Sequence, residues 1–177
     1  MESIVGIGIA IIGLVFLGGV AFLLQGPQYV PTNDEDTKQI VNLALSYKPE
    51  RVLDMGSGDG KLVIALAQVG LQATGIEINP WLVWRSRQKI KRLKLQEKAQ
   101  IIHGSFWSYD ISPYNLLVVF AIKHVMPRLE KKVQAELKPG ARIISNFFVF
   151  PNLKIEVRKK GIVSYTIKEG PSLEGPL

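Results

Sequence analysis

Short apolar runs alternate with helical stretches along most of this chain. The apolar runs predict five buried strands, at 51–55, before Glu77, at 99–102, at 115–120 and at 141–149. The stretches between them have helical composition, as in 61–68, where Gly70 is expected to end the helix. Strands that alternate with helices predict a mostly parallel sheet covered on both faces, which is a three-layer α/β sandwich.

The pattern changes near the C-terminus, where two β-rich stretches follow each other directly. These stretches, 155–159 and 162–168, are separated by Lys160-Gly161, a turn sequence that predicts an antiparallel hairpin. Added to the five earlier strands, the hairpin at the sheet edge gives a predicted sheet of seven strands.

Two helix starts can also be predicted. Thr32 with Glu35 three residues later matches a capping box, which places a helix start at Thr32. Pro127 interrupts the helical stretch 123–137, so we expect that helix to break or to begin late.

The N-terminal 24 residues form a separate unit. From Ile4 to Leu24 no side chain is charged or carries an amide, and a helix of that length can cross a bilayer. A secretory signal peptide is one alternative, but it calls for a basic start, and the chain opens Met1-Glu2-Ser3. A buried globular helix is the other, but it would rarely tolerate the five glycines of this run. We predict three regions: a transmembrane anchor at 1–25, a linker at 26–32 and one domain at 33–177.

Composition narrows the function classes. The chain has 177 residues, no cysteine and a formal net charge of +7. Its length suits one domain, and the lack of cysteine excludes a disulfide framework and a cysteine nucleophile. We predict no metal site. Basic residues cluster in the helical stretch 85–98, where they form either a solvated face or a surface attracted to anionic lipid headgroups.

A glycine-rich turn follows the first predicted strand. Asp54 ends the strand, and glycines at 56, 58 and 60 precede the helical stretch 61–68. Such a turn lets the backbone approach a ligand closely and directs helix N–H groups toward it. A second acid, Glu77, ends the next strand. The spacing therefore predicts a ligand site at the edge of the sheet.

Two phosphate-binding patterns do not fit this turn. The dinucleotide pattern GxGxxG would require glycine at position 61, where Lys61 stands. The P-loop would require glycine at position 55 and Ser or Thr at position 62, where Met55 and Leu62 stand.

The arrangement of Asp54, the glycines and Glu77 resembles the first two motifs of class I S-adenosylmethionine-dependent methyltransferases, which have a Rossmann-like fold. The resemblance implies S-adenosyl-L-methionine as cofactor, with Asp54 near its methionyl amine and Glu77 on its ribose hydroxyls. Glu77 follows Gly56 at about the 20-residue offset expected of a ribose-binding acid. The implied cofactor-binding residues are Asp54, Gly56, Ser57, Gly58, Gly60, Glu77, Ile78, Ser105 and Phe106. Ser105 stands where the family commonly has an acid for the adenine amine.

Further segments narrow the resemblance: Tyr29-Val-Pro-Thr32, Glu77–Val83 and Arg142–Pro151. They are similar to a family of membrane-anchored lysine methyltransferases, whose eukaryotic members modify the adenine nucleotide translocase or the ATP synthase c-subunit in mitochondria. This implies a lysine acceptor on a membrane-associated protein. No arginine-rich transit segment precedes the apolar run, which favours a prokaryotic relative. Because the cofactor is made in the cytoplasm, we expect a single-pass protein of the cell membrane whose domain faces the cytoplasm.

An acceptor lysine must be deprotonated, and burial in an apolar or aromatic channel would lower its pKa. Tyr29 is the candidate for lining that channel, although anchoring at the membrane interface would explain it equally well. His124 and Asp110 are the candidate proton acceptors, each with a structural role as the alternative.

Three other functions compete with lysine methylation. The Asn/Asp-Pro-Pro-aromatic motif of enzymes that methylate base amines is absent at Phe120–His124, so we expect no nucleic-acid partner. A methyltransferase for a membrane-embedded quinone or lipid would share every cofactor residue. A non-catalytic cofactor-binding module is the third alternative.

Overall fold

The computed structural model describes residues 12–13 and 32–168. The chain divides into two units, Met1–Val30 and Pro31–Leu177, of which the second contains the fold below. Of the predicted anchor only Ile12 and Gly13 are described, and both are helical. Within the described ranges no helix is long and apolar enough to cross a membrane. The anchor and nearly all of the linker lie outside these ranges and remain predictions.

Four helices and seven strands make up the described part of the second unit. The helices are α1 (Asp34–Tyr47), α2 (Lys61–Gln68), α3 (Pro80–Arg92) and α4 (Met126–Glu136), with a short 3₁₀ helix at Lys123–Val125. The strands are β1 (Arg51–Met55), β2 (Gln72–Glu77), β3 (Ala99–His103), β4 (Leu116–Val119), β5 (Arg142–Asn146), β6 (Val157–Lys159) and β7 (Ile162–Thr166).

All seven strands lie in one sheet, in the order β3-β2-β1-β4-β5-β7-β6. The first five pair in parallel, whereas β7 is antiparallel to both β5 and β6. Lys160 and Gly161 join β6 to β7 with positive φ angles of 46° and 87°. Two left-handed residues in a two-residue loop match the twist of the flanking strands, which is why Lys-Gly makes this turn. The predicted seven-stranded sheet and its hairpin are confirmed.

Two apolar clusters lie on opposite faces of the sheet. Beneath α1, α2 and α3 the core includes Ile40, Val63 and Ile90. The other face packs Leu129 and Val133 of α4, together with apolar residues from the loops that follow β3 and β5. The three predicted layers are therefore present, but in the described residues one helix and two loops form the second outer layer.

The two predicted helix starts have different outcomes. The cap of α1 is Asn33 and not Thr32, since the Asn33 side-chain oxygen accepts a hydrogen bond from the backbone N–H of Asp36 at 2.7 Å. The capping-box prediction was wrong by one residue, because Asn is as good a cap as Thr. The late start near Pro127 is confirmed: Pro127 lies in the first turn of α4, where no N–H is needed.

Candidate cofactor and acceptor site

The carboxyl ends of β1, β2, β4 and β5 meet at one edge of the sheet. β1 lies between β2 and β4, so that Asp54 has Gly75 on one side and Val118 on the other. The chain leaves β1 toward β2 and returns on the opposite side at β4, which reverses the strand order at this point. Such a reversal opens the crevice in which α/β proteins bind ligands.

The glycine-rich turn after β1 has a backbone that only glycine adopts easily. Gly56, Gly58 and Gly60 have φ angles of 85°, 54° and 76°. The backbone N–H groups of Gly56 and Ser57 donate to the Ile76 carbonyl at 2.9 and 3.0 Å, which fixes the turn to β2. A Cβ at Gly56 would meet no atom within 4 Å, so this part of the turn faces open space.

Glu77 is buried and bridges the turn to the start of α3. Its Oε2 accepts from the Gly58 N–H at 2.9 Å, and its Oε1 accepts from the Asn79 N–H at 2.8 Å. A carboxylate has about four acceptor positions, so two remain for further donors. Ile78, the next residue, is 56% exposed despite being apolar. A paired carboxylate beside an exposed apolar side chain suits a sugar hydroxyl pair next to a flat ring.

Asp54 is only 7% exposed, and among the described residues its carboxyl has no hydrogen bond or ion pair. Burial, and to a smaller extent the negative charge of Glu77, raise the pKa of Asp54 to about 7. A buried acid beside a second acid is stabilised in its charged form only when a cation approaches. The pair therefore forms a binding site for a positively charged group.

The carboxyl edge of β4 and β5 has a different character. β5 ends at Asn146 and not at the predicted residue 149, since Phe147 has a φ of 66°. The Phe148 N–H donates to the Asn146 carbonyl at 2.9 Å, which closes a γ-turn around Phe147. Positive φ in a bulky residue is strained, and such strain is concentrated at functional sites. Phe147 is 58% exposed, with its ring 6.2 Å from that of Phe120.

The family can be assigned from the same region of sequence. The model of the ANTKMT methyltransferase domain matches residues 54–157, which include Asp54, Glu77 and Asn146. The chain belongs to this family.

Individual relatives agree with the assignment. The ATP synthase c-subunit lysine N-methyltransferase of Xenopus laevis is 41% identical, over 70% of this chain and 54% of its own length. A protein-lysine N-methyltransferase of Saccharolobus islandicus (strain REY15A) is 31% identical, over 68% of this chain and 76% of its own length. The chain spans about half the length of the vertebrate relatives it matches.

A solved structure shows the same fold with its cofactor product. The RNA methyltransferase from Salinibacter ruber, in complex with S-adenosyl-L-homocysteine, aligns with a TM-score of 0.73 and 27% identity. The alignment covers 80% of this chain and 95% of that chain. The methyltransferase domain of this family uses S-adenosylmethionine as its cofactor.

The residues present fit that cofactor. Its amino-acid end carries an ammonium, and Asp54 beside Glu77 is a buried acid pair without a cation among the described residues. Its ribose offers two hydroxyls, and Glu77 has two acceptor positions left after binding Gly58 and Asn79. Its sulfonium and adenine require close backbone approach and apolar contact, which the open side of Gly56 and the exposed Ile78 provide.

Three other predicted cofactor residues, Ser57, Ser105 and Phe106, have contacts within the protein that do not by themselves indicate a ligand. Ser57 is buried with its hydroxyl unpaired, and a Cβ at Gly75 would lie 2.5 Å from it, so Ser57 packs beneath the turn. The Ser105 hydroxyl accepts from the Trp107 N–H at 3.3 Å, and the Phe106 ring lies 4.7 Å from the Trp107 ring. The loop that carries them is fixed to Glu77 by Gly104. Their cofactor contacts remain predictions.

Sequence reasoning missed Ser86 and Asn79. The Ser86 hydroxyl lies 3.1 Å from the Gly58 carbonyl oxygen, and a Cβ at Gly60 would come within 2.9 Å of Ser86. Its signal was a serine on the face of α3 that otherwise buries Leu82 and Ile90. Asn79 caps α3, accepting from the Trp81 N–H at 3.0 Å, and its signal was an Asn before a proline.

The channel candidate Tyr29 and the two candidate proton acceptors have different outcomes. Tyr29 lies outside the described residues. His124 is exposed on the 3₁₀ helix. Asp110 is exposed on the loop that returns to the start of β1, and its hydrogen bond from Ser112 lowers the pKa of its carboxyl. An acid with a lowered pKa at the opposite edge of the sheet is a poor proton acceptor for this site.

A groove of about 650 Å³ lies outside the turn, between α1, α2 and α3. Its lining includes Lys61 and Lys89, which form ion pairs with Asp34 and Asp59. Because these charges compensate each other, we assign no ligand to this groove.

Proposed function

We propose that this chain is an S-adenosylmethionine-dependent protein-lysine methyltransferase that acts on a membrane-associated protein. The observation that carries the proposal is the Asp54–Glu77 acid pair, buried against a glycine turn that is open to a ligand. Family membership supports methyl transfer, and the names of the relatives from Xenopus laevis and Saccharolobus islandicus support a lysine acceptor.

The bound cofactor supplies a methyl group already activated on a sulfonium, so the protein needs to bind, orient and exclude water. Asp54 would hold the ammonium of the amino-acid end, and Glu77 the ribose hydroxyls. Ile78 would cover one face of the adenine.

The acceptor amine needs a free lone pair, so it must reach the site uncharged. Phe120 and Phe147 give the β4–β5 side of the site an apolar surface. An apolar surrounding disfavours the ammonium form and lowers the pKa of a bound lysine. The departing proton can pass to water as the amine enters, which requires no catalytic base among the described residues.

We also propose that the enzyme is anchored in the cell membrane by residues 1–25, with its domain facing the cytoplasm. The uncharged run 4–24 supports the anchor. A lysine of the ATP synthase c-subunit, for which the Xenopus laevis relative is named, is the first substrate to test.

Methyl transfer from tritiated S-adenosylmethionine into membranes that lack this protein tests the proposal. Wild type and Asp54→Ala are compared, and the label is analysed after delipidation and hydrolysis. We expect methyl-lysine with wild type only. Label in the lipid extract would indicate a quinone or lipid methyltransferase.

Two further outcomes of that assay are informative. The solved Salinibacter ruber structure is that of an RNA methyltransferase, so the RNA fraction is counted as well. Label in RNA would indicate that RNA, and not lysine, is the methyl acceptor. Cofactor binding without any transfer would contradict the enzymatic proposal and favour a binding module.

A further inference from the structure

The carboxyl end of β5 contains a polar group that the cofactor half of the site does not use. We propose that Asn146, together with Phe120 and Phe147, forms an acceptor site for a neutral primary amine. In this site the amine N–H donates to the side-chain oxygen of Asn146 while the two rings cover its alkyl chain. The inference rests on the proposed function, because it concerns the second substrate of the same site.

Asn146 has an acceptor atom with no partner. The residue is 1% exposed, and its Oδ1 is buried without a hydrogen bond. An unpaired buried acceptor destabilises a fold, and each one that a native structure keeps calls for an explanation, of which a binding role is one. No described residue donates to this atom, so a donor brought by a ligand has an acceptor here once it reaches below the protein surface.

The orientation of this amide is fixed from the other side. Asn146 Nδ2 donates to Asp36 Oδ2 at 3.3 Å, and Asn33 Nδ2 donates to the same oxygen at 2.9 Å. Because the carboxylate of Asp36 can accept only from the nitrogen of the amide, Oδ1 must point away from it. The cap of α1 thus positions the free oxygen of Asn146.

The register of the sheet places Asn146 on the same side as Asp54. Asp54 is aligned with Val118 of β4, and Val118 with Ile144 of β5. Side chains alternate along a strand, so Asn146, two residues beyond Ile144, points to the face on which Asp54 lies. Two strand spacings of about 4.8 Å and a rise of two residues separate them, a distance spanned by small-molecule substrates.

The aromatic residues beside Asn146 are arranged against local preference. Phe147 adopts its left-handed conformation because its N–H donates to the Gly161 carbonyl at 2.8 Å. Its ring lies so close to Gly161 that a Cβ there would come within 3.3 Å. The strained turn leaves this ring 58% exposed next to Phe120, as an alkyl chain would require.

The chemistry of an amide suits this acceptor. A carboxylate at position 146 would favour the ammonium form of lysine, which cannot be methylated. A carbonyl-type oxygen accepts a hydrogen bond without stabilising a positive charge to the same extent. The amide thus orients the neutral amine.

An alkylamine analogue of the cofactor tests the site without knowledge of the protein substrate. The probe is an S-adenosylmethionine analogue in which an aminoalkyl chain replaces the transferable methyl. S-adenosylhomocysteine, which lacks that chain, is the reference ligand. Both are titrated calorimetrically into full-length wild type, Asn146→Ala, Asn146→Ser and Asp36→Ala.

We expect wild type to bind the alkylamine analogue more tightly than S-adenosylhomocysteine. Loss of one hydrogen bond should weaken analogue binding to Asn146→Ala about tenfold, with S-adenosylhomocysteine affinity within about twofold of wild type. Asn146→Ser should recover part of the difference. Asp36→Ala, like Asn146→Ala, removes the contact between these two residues, but it keeps the Asn146 oxygen. Its affinity for the analogue should therefore fall less than that of Asn146→Ala.

Equal losses for both ligands in Asn146→Ala would overturn the inference, since a purely structural Asn146 would weaken the whole site. Equal affinities of all variants for the analogue would also overturn it. Melting temperatures identify a variant that does not fold, in which case Asn146→Ser decides. If wild type binds both ligands but methylates nothing in the membrane assay, the proposed function fails while the amine site is still measured.

Discussion

The two halves of the sheet edge are built in opposite ways. On the β1–β2 side, glycines adopt the turn without strain, and Glu77 bonds two backbone N–H groups. On the β4–β5 side, a phenylalanine occupies a left-handed conformation and a buried oxygen has no donor. A half whose backbone is fixed before binding, and whose buried Asp54 still lacks a partner among the described residues, suits a ligand common to many enzymes. The strained half suits the variable acceptor, whose binding supplies the missing contacts.

The largest expected effect lies in the cofactor half. Asp54→Ala should weaken S-adenosylhomocysteine binding by about 10- to 100-fold, since a hydrogen bond to a charged group is lost. Isothermal titration calorimetry measures this. Asp110→Ala removes an exposed acid near the opposite edge and is the matched control, for which we expect unchanged affinity. Similar losses in both variants would mean that general charge, and not the site, attracts the ligand.

The pH dependence of binding gives a second test of the cofactor half. With the pKa of Asp54 raised to about 7, the free protein must release a proton before an ammonium can pair with this acid. Between pH 5 and 7 the affinity for S-adenosylhomocysteine should therefore rise, approaching tenfold per pH unit at the acid end. Titrations at several pH values measure the slope, which should flatten in Asp54→Asn.

The stability of the ligand-free fold should change with pH in the opposite direction to the affinity for S-adenosylhomocysteine. A raised pKa in the folded protein means that the fold binds the proton more tightly than the unfolded chain. The stability contributed by protonated Asp54 is complete below about pH 4 and is lost as the pH rises through 7. Urea unfolding of the ligand-free protein at both pH values, compared with Asp54→Asn, separates this group from the others.

Strain in the acceptor half can be measured with two substitutions at one position. Both Phe147→Gly and Phe147→Ala remove the ring, but only alanine keeps the left-handed strain. We expect the glycine variant to be about 1 kcal/mol more stable in urea unfolding, although glycine normally lowers stability. A more stable alanine variant would show that the γ-turn opens in solution.

The smallest expected effect is that of a substitution at Ser86, which packs against the glycine turn. Ser86→Ala removes the hydroxyl near the Gly58 carbonyl and should cost about 1 kcal/mol of stability. S-adenosylhomocysteine affinity should fall only a few-fold. Because the turn is also fixed by Ile76, a loss as large as that of Asp54→Ala would show that the cofactor half is less preorganised than its hydrogen bonds indicate.

The backbone geometry of the cofactor half could be predicted from the sequence for a physical reason. Its geometry depends on local backbone freedom and on the spacing of two strand ends, which leave glycines at 56, 58 and 60 and an acid at 77. The acceptor half depends on contacts between distant residues. The run 141–149 has strand composition throughout, but β5 ends at Asn146, where the Phe147 N–H donates to the distant Gly161 carbonyl and the chain turns.

The hydrogen bonds around Asn146 could not be predicted from the sequence either. The N-terminal cap was expected one residue early, and nothing local indicates that Asp36 reaches a strand far along the chain. A buried asparagine at a strand end carries no periodic signal. Ser86 and Asn79 did leave weak signals: Ser86 is a polar residue on an apolar helix face, and Asn79 stands before a proline, as a helix cap does.

The bond between Phe147 and Gly161 also sets an order of assembly. The glycines of the turn, the Glu77 carboxylate and the residues that bond them all lie within 51–86, whereas the strained turn also needs the hairpin formed by β6 and β7. A nascent chain that ends before Val157 would carry the elements of the cofactor half but would lack the partner that bends β5. The proposed acceptor half is therefore the last part of the site to be completed during synthesis.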